Sequence, residues 1–202
     1  MTEAHDRRSI GLPWTHARPS VLVIACSDGR LQEATDEFLA RHLGIRHYDR
    51  LYVPGGAGAL SPSGRDFLRA RELQKECRFL VDAHHLEHVI GVFHGPAPDG
   101  PPEAMCGDYR RKFDWATVEE LRAQQERDAG ELIEYRADWA ARAAVHIYRG
   151  EVGMTGNLSF VTLHADPKRG THGQIPVDHD AWEPRMPECF APQSGSPFPT
   201  CS

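Results

Sequence analysis

The stretch VLVIACSDGRLQEATDEFLARHLG, Val21–Gly44, decides the fold reading. Val21–Ala25 is an apolar run without polar alternation, the pattern of a strand covered on both faces of a sheet. Leu31, Ala34, Phe38 and His42 then share one helical face, and Gly44 stands where a helix ends. Between strand and helix lie Cys26, Asp28 and Arg30, two apart. Gly, Ser or Asn would serve a plain turn, so a thiol, a carboxylate and a guanidinium at this spacing point to a site.

Working outward, three further apolar runs read as strands: Arg50–Val53, Val89–Phe93 and Phe160–Leu163. Helical stripes separate them. Phe67, Ala70, Cys77, Leu80 and His84 form one, after the turn residues of Ser61–Gly64. Val118, Leu121, Leu132, Trp139, Ala143 and Ile147 form another within Thr117–Arg149, where Gly130 predicts a bend or break. Alternating strands and helices predict an α/β fold, a mostly parallel four-stranded sheet flanked by helices. From residue 172 onward, Pro, Gly and Ser are dense and no period survives, so the expected division is an α/β domain over 1–171 and an irregular tail over 172–202. Cys189 and Cys201 fall in that tail without metal-ligand spacing and read as ordinary thiols.

With 202 residues, the chain is long enough for one domain with a full core. Its net charge of −6 is spread along the chain, which argues against nucleic acid as a partner. No apolar run reaches the length of a membrane span, and MTEAHDRRSIGLPWTHARPS lacks the apolar core of a secretory signal. The expected location is therefore cytoplasmic. Five cysteines are an odd and sparse set, better suited to metal binding, nucleophilic chemistry or packing than to a disulfide framework. Twelve histidines add weight to the metal option.

Thiolate, imidazole and carboxylate are the ligands of zinc, and a catalytic zinc keeps one position open. Candidates gather in CSDGR, Cys26–Arg30, and in the segment from VFHG to MCGDYRR, which holds His94 and Cys106. In parallel sheets, ligands sit outside the carboxyl ends of the strands. Cys26 follows the first strand and His94 ends the third, so both are expected at one sheet edge. The segment PGGAGA, Pro54–Ala59, lacks the Lys-Ser/Thr and GxGxxG spacings of a phosphate loop.

These residues resemble the β-class carbonic anhydrases, which carry Cys-x-Asp-x-Arg after the first strand and a His and a second Cys after the third. VPGGAGAL and TGNLSFVTL look like the family's segments after the second strand and at the closing strand, and the resemblance spans Val21–Leu163. It implies Zn2+ held by Cys26, His94 and Cys106, and a catalytic dyad of Asp28 and Arg30. Asp28 would orient the zinc-activated water or replace it on the metal, with Arg30 as its latch. The implied reaction is hydration of carbon dioxide to bicarbonate. Hydrolysis of carbonyl sulfide or carbon disulfide, or a non-catalytic zinc-binding relative, is the alternative, and the implied assembly is a homodimer or a multiple of dimers. The family separates its His and second Cys by two residues, whereas eleven separate His94 from Cys106. Closing that longer loop costs little additional entropy.

His84, His85 and His88 cluster before the third strand, where they could shuttle protons; the helical stripe running through His84 and Cys77 favours a structural role for both, and His85 and His88 are expected at the surface.

Overall fold

The computed structural model describes residues 16–165. The proposed boundary at 171/172, and Cys189 and Cys201, lie outside the described residues. The elements run β1 (Val21–Cys26), α1 (Gly29–His42), β2 (Asp49–Val53), α2 (Phe67–His84), β3 (His88–Pro96), α3 (Gly107–Lys112), α4 (Val118–Glu134), α5 (Arg136–Trp139), β4 (Ala144–Val152) and β5 (Leu158–Ala165). Short 3₁₀ turns occupy Gly56–Leu60 and Pro102–Ala104.

The sheet has five strands in the order β2-β1-β3-β4-β5. β1 through β4 pair in parallel, and β5 closes the edge antiparallel to β4. The α/β class therefore stands, and the strand count is corrected from four to five. The additional strand is β4, AVHIYRGEV, expected to be the end of a helix over Thr117–Arg149. Ala143 and Ile147 do lie four apart, yet Val145, Ile147 and Arg149 also alternate with His146 and Tyr148, and all of these residues are buried. A strand buried on both faces loses the polar alternation that separates it from a helix. Ala141, in left-handed backbone at φ 49°, makes the break. Gly130 breaks nothing, because α4 runs through it to Glu134.

Two of the helices, α1 and α4, begin at side-chain caps. Asp28 caps α1 by accepting the Arg30 amide at 3.1 Å. Thr117 and Glu120 form a reciprocal capping box on α4, at 3.2 and 2.7 Å. α1 ends at Leu43 with Gly44 at φ 71°, as its sequence predicts. α2 starts at Phe67, the first residue of its predicted stripe, and is capped by His85 in left-handed backbone.

Two apolar layers sandwich the sheet. Phe38 and Leu39 of α1 cover Val21, Val23, Ile90 and Tyr148 on one face. Cys77 and Val81 of α2, with Leu121, Ala129 and Leu132 of α4, cover Leu22, Ile24, Val89 and Ile147 on the other. Cys77 is thus core, as its stripe implies, and the half-buried His84 lies 2.5 Å from Asp49; His85 is exposed as expected, whereas His88, expected at the surface, is buried because it opens β3 between β1 and β4.

From β1 the chain goes outward to β2 and then returns to place β3 on β1's other side. This reversal of strand order opens a crevice at the carboxyl ends of β1 and β3. The Gly56 turn is pressed into it: a Cβ at Gly56 would lie 2.5 Å from the Val92 carbonyl oxygen and 2.8 Å from the Cys26 nitrogen, at φ +54°. Gly56→Ala is expected to cost about 2–4 kcal/mol from overpacking and left-handed strain combined. Urea unfolding measures this, and a loss below about 1 kcal/mol would show that the turn relaxes away from the strands.

Candidate metal centre

Cys26 ends β1, His94 lies on β3 past its last residue paired with β1, and Cys106 caps α3. These three residues converge. One ligand atom from each lies within 4.8 Å of the others, and all three residues are buried. Among the described residues this is the one group of three or more metal-ligating side chains. The eleven-residue spacing does not separate His94 from Cys106, because the intervening chain leaves the sheet and returns.

The donor set fits a metal. Among the described residues, the buried His94 Nε2 has no hydrogen-bond partner, an arrangement that is costly unless a ligand completes it. Two thiols and an imidazole converging on one point are the donor chemistry of zinc, and they leave a fourth position for solvent or substrate.

Hydrogen bonding gives the sulfurs unequal character. Donation from Cys106 draws the Cys26 thiol well below its ordinary range, against the opposing effect of burial; His94 and the backbone amides of Asp28 and Gly55 pull the same way. The Cys26 thiolate, aided by burial, pushes Cys106 up, while the amides of Tyr109 and Asp108 donate to its sulfur. The four amides also draw charge from the thiolates, which leaves a bound cation more electrophilic.

Asp28 and Arg30 stand at the mouth. Arg30 Nε lies 3.0 and 3.2 Å from the two Asp28 oxygens, and its Nη2 lies 2.6 Å from Oδ2. This contact holds the Asp28 carboxyl well below its usual range, at about 2, against a smaller opposing effect of desolvation. Asp28 is not among the converging ligand atoms; its carboxylate is engaged by Arg30 instead.

Two recesses reach the centre. A small one of about 10 Å³, room for roughly one water-sized molecule, is lined by Cys26, His94 and the apolar Leu31, Val92, Leu158 and Phe160. An open cleft of about 440 Å³ is lined by Asp28, Arg30, Leu31, His94, Pro101, Glu103 and Ala104.

Several supporting residues carried no motif. Gln125 of α4 donates to the His94 carbonyl at 3.0 Å. Arg69 of α2 bridges Asp108, at 2.9 Å, and the Pro54 carbonyl, at 2.7 Å, which joins the backbone segments that donate to the two sulfurs. Asp108 also accepts from Arg111 at 2.9 Å, so Arg111 is a brace for α3. The single sequence signal for this brace was the position of Asp108 two residues after Cys106.

The chain is similar to β-carbonic anhydrases of known structure. A carbonic anhydrase from Glaciozyma antarctica is 16% identical over 72% of this chain and 82% of its own, with a TM-score of 0.37. A β-carbonic anhydrase from Trichomonas vaginalis is 11% identical over 77% and 88%, with a TM-score of 0.41. One of two tetrameric β-carbonic anhydrases from Sordaria macrospora is 15% identical over 71% and 81%, with a TM-score of 0.34. No family model matches the sequence, and no curated protein does. At such low identities and scores, the chemistry has to come from the centre's own atoms. Among the described residues, no helix is long and apolar enough to cross a membrane.

Proposed function

We propose that the protein hydrates carbon dioxide to bicarbonate with Zn2+ held by Cys26, His94 and Cys106. The convergence of these donors around a buried His94 Nε2 without a partner among the described residues carries the reading. Zinc bound there would supply a Lewis acid and lower the pKa of water to about 7.

The chain's own residues supply the rest. The apolar recess formed by Leu31, Val92, Leu158 and Phe160 suits a small uncharged molecule, which loses little hydration on entering. Asp28, ionised across the neutral range, can only accept hydrogen bonds, so it accepts from the attacking water and fixes which lone pair faces carbon. Arg30 holds Asp28 charged and aimed through the two-oxygen contact. The product leaves through the cleft beside Arg30. The protein acts as a homodimer or a multiple of dimers, a state that light scattering of the purified protein measures directly.

Stopped-flow hydration by zinc-loaded protein tests the reaction. Saturable turnover is expected, with Asp28→Ala and Arg30→Ala each lowering kcat/KM by about 10- to 100-fold while zinc content holds. Absence of hydration across pH 6–9 at full zinc occupancy would sink the proposal. Turnover of carbonyl sulfide or carbon disulfide alone would move the reading to a hydrolase.

A further inference from the structure

The eleven residues between His94 and Cys106 form a built wall. The Ala97 amide donates to the Val152 carbonyl at 2.9 Å and the Gly100 amide to Ala97 at 2.9 Å. Arg110 of α3 holds the Pro102 carbonyl at 2.5 Å, and Arg122 of α4 holds the Pro96 carbonyl. Met105 is buried against Gly95, and Pro96, Pro98, Pro101 and Pro102 restrict the backbone between these anchors. Glu103 rides on this wall and lines the same cleft as Arg30 and His94.

The charges of the cleft are unequal. Asp28 and Arg30 cancel in their own contact. Two thiolates and a neutral imidazole cancel the charge of a divalent cation held at the centre. Glu103 makes no ion pair among the described residues and is the one uncompensated charge on the cleft lining. A fixed negative charge at the mouth leaves a neutral ligand untouched and repels an anionic one.

We infer that Glu103 is a specificity residue that biases the cleft against small anions, favouring entry of an uncharged substrate and departure of an anionic product. The part played by substrate and product rests on the proposed hydration; the bias against anions does not. In a partly hydrated cleft, one unit charge on the lining corresponds to about a three- to tenfold change in anion affinity.

Thiocyanate is a suitable probe, titrated into zinc-loaded protein by calorimetry and into cobalt-loaded protein by visible absorption. Glu103→Gln is expected to tighten its binding about three- to tenfold, and Glu103→Lys further, with the gain shrinking between about 0.02 and 0.5 M salt as screening shortens. Glu72→Gln, on exposed α2 where Glu72 pairs with Lys75 at 2.7 Å, should leave the affinity unchanged. Unaltered affinity in both Glu103 variants, or an equal gain in Glu72→Gln, would overturn the inference. If hydration is absent and the Glu103 variants still tighten thiocyanate, the hydration reading falls while the charge bias stands. If hydration is present and the variants change nothing, the reverse holds. A chain that takes up neither metal nor thiocyanate overturns both.

Discussion

Cys26→Ser is expected to lower zinc affinity by roughly a hundredfold or more, taking purified protein from near one equivalent of metal to almost none. A serine hydroxyl stays protonated at neutral pH and offers a weak neutral oxygen where a thiolate stood. The loss concerns the ligand of more acidic character, the sulfur that receives the Asp28 and Gly55 amides and the Cys106 hydrogen bond. The fold should survive, because Ser nearly matches Cys in shape and β1 is anchored on both sides by β2 and β3. Metal analysis and competition with a chromogenic chelator give the affinity, and circular dichroism checks the fold. Since thiols must lose their protons to bind metal, affinity in the parent protein should rise with pH. Unit zinc stoichiometry in a folded Cys26→Ser protein would remove Cys26 from the ligand set.

A second large effect is expected away from the metal. Asp128 is fully buried on α4 and accepts from Tyr109 Oη, from Ser63 Oγ at 2.7 Å and from Gln124 Nε2 at 2.8 Å. Its charge also supports Lys112, whose ammonium is buried and donates to the Gly58 and Ser61 carbonyls at 2.9 and 2.6 Å. Asp128→Ala would leave the buried Tyr109 phenol without its acceptor and remove the carboxylate that offsets the buried Lys112 charge, at about 3–5 kcal/mol. Asp128→Asn keeps the shape and some hydrogen bonds, so its loss should be smaller, about 1–3 kcal/mol. Urea denaturation separates the two, and a change under about 1 kcal/mol for the alanine variant would contradict this picture. Because Tyr109 follows Cys106 on α3, the alanine variant should also bind zinc more weakly.

How much of this was readable beforehand depends on what each segment had to do locally. β1 and β3 were legible because buried parallel strands are short apolar runs bounded by turn residues, and both carried ligand-type residues near their ends; β2, the half-exposed edge strand, was legible from Leu51, Tyr52 and Val53. β4 was hidden by its own burial, which removes the alternation that marks a strand. The run at Phe160–Leu163 showed that β5 exists and gave no direction, since an apolar run reads alike for either sense of pairing. The turn that reverses it is made by Gly153 and Asn157, joined at 2.9 Å, with Gly156 at φ 79°. Cys26, His94 and Cys106 were identified by residue type and position. The braces around them, Arg69, Gln125 and the Lys112–Asp128 cluster, are ordinary surface-type residues whose burial arises only from tertiary packing. The Pro-rich stretch after His94 was legible as irregular chain, and its role as a wall depends on the Arg110 and Arg122 contacts.

The three ligands also differ in when they can meet. Cys26 and His94 are more than sixty residues apart in the chain, and only the long-range pairing of β1 with β3 brings them to one edge. Such pairing closes late, after the loop entropy of the intervening segment has been overcome. A metal held by Cys26, His94 and Cys106 would then find few of its contacts formed in the folding transition state. Its effect would fall on the escape rate from the native state, making the ion a lock on the finished sheet and not a template for building it.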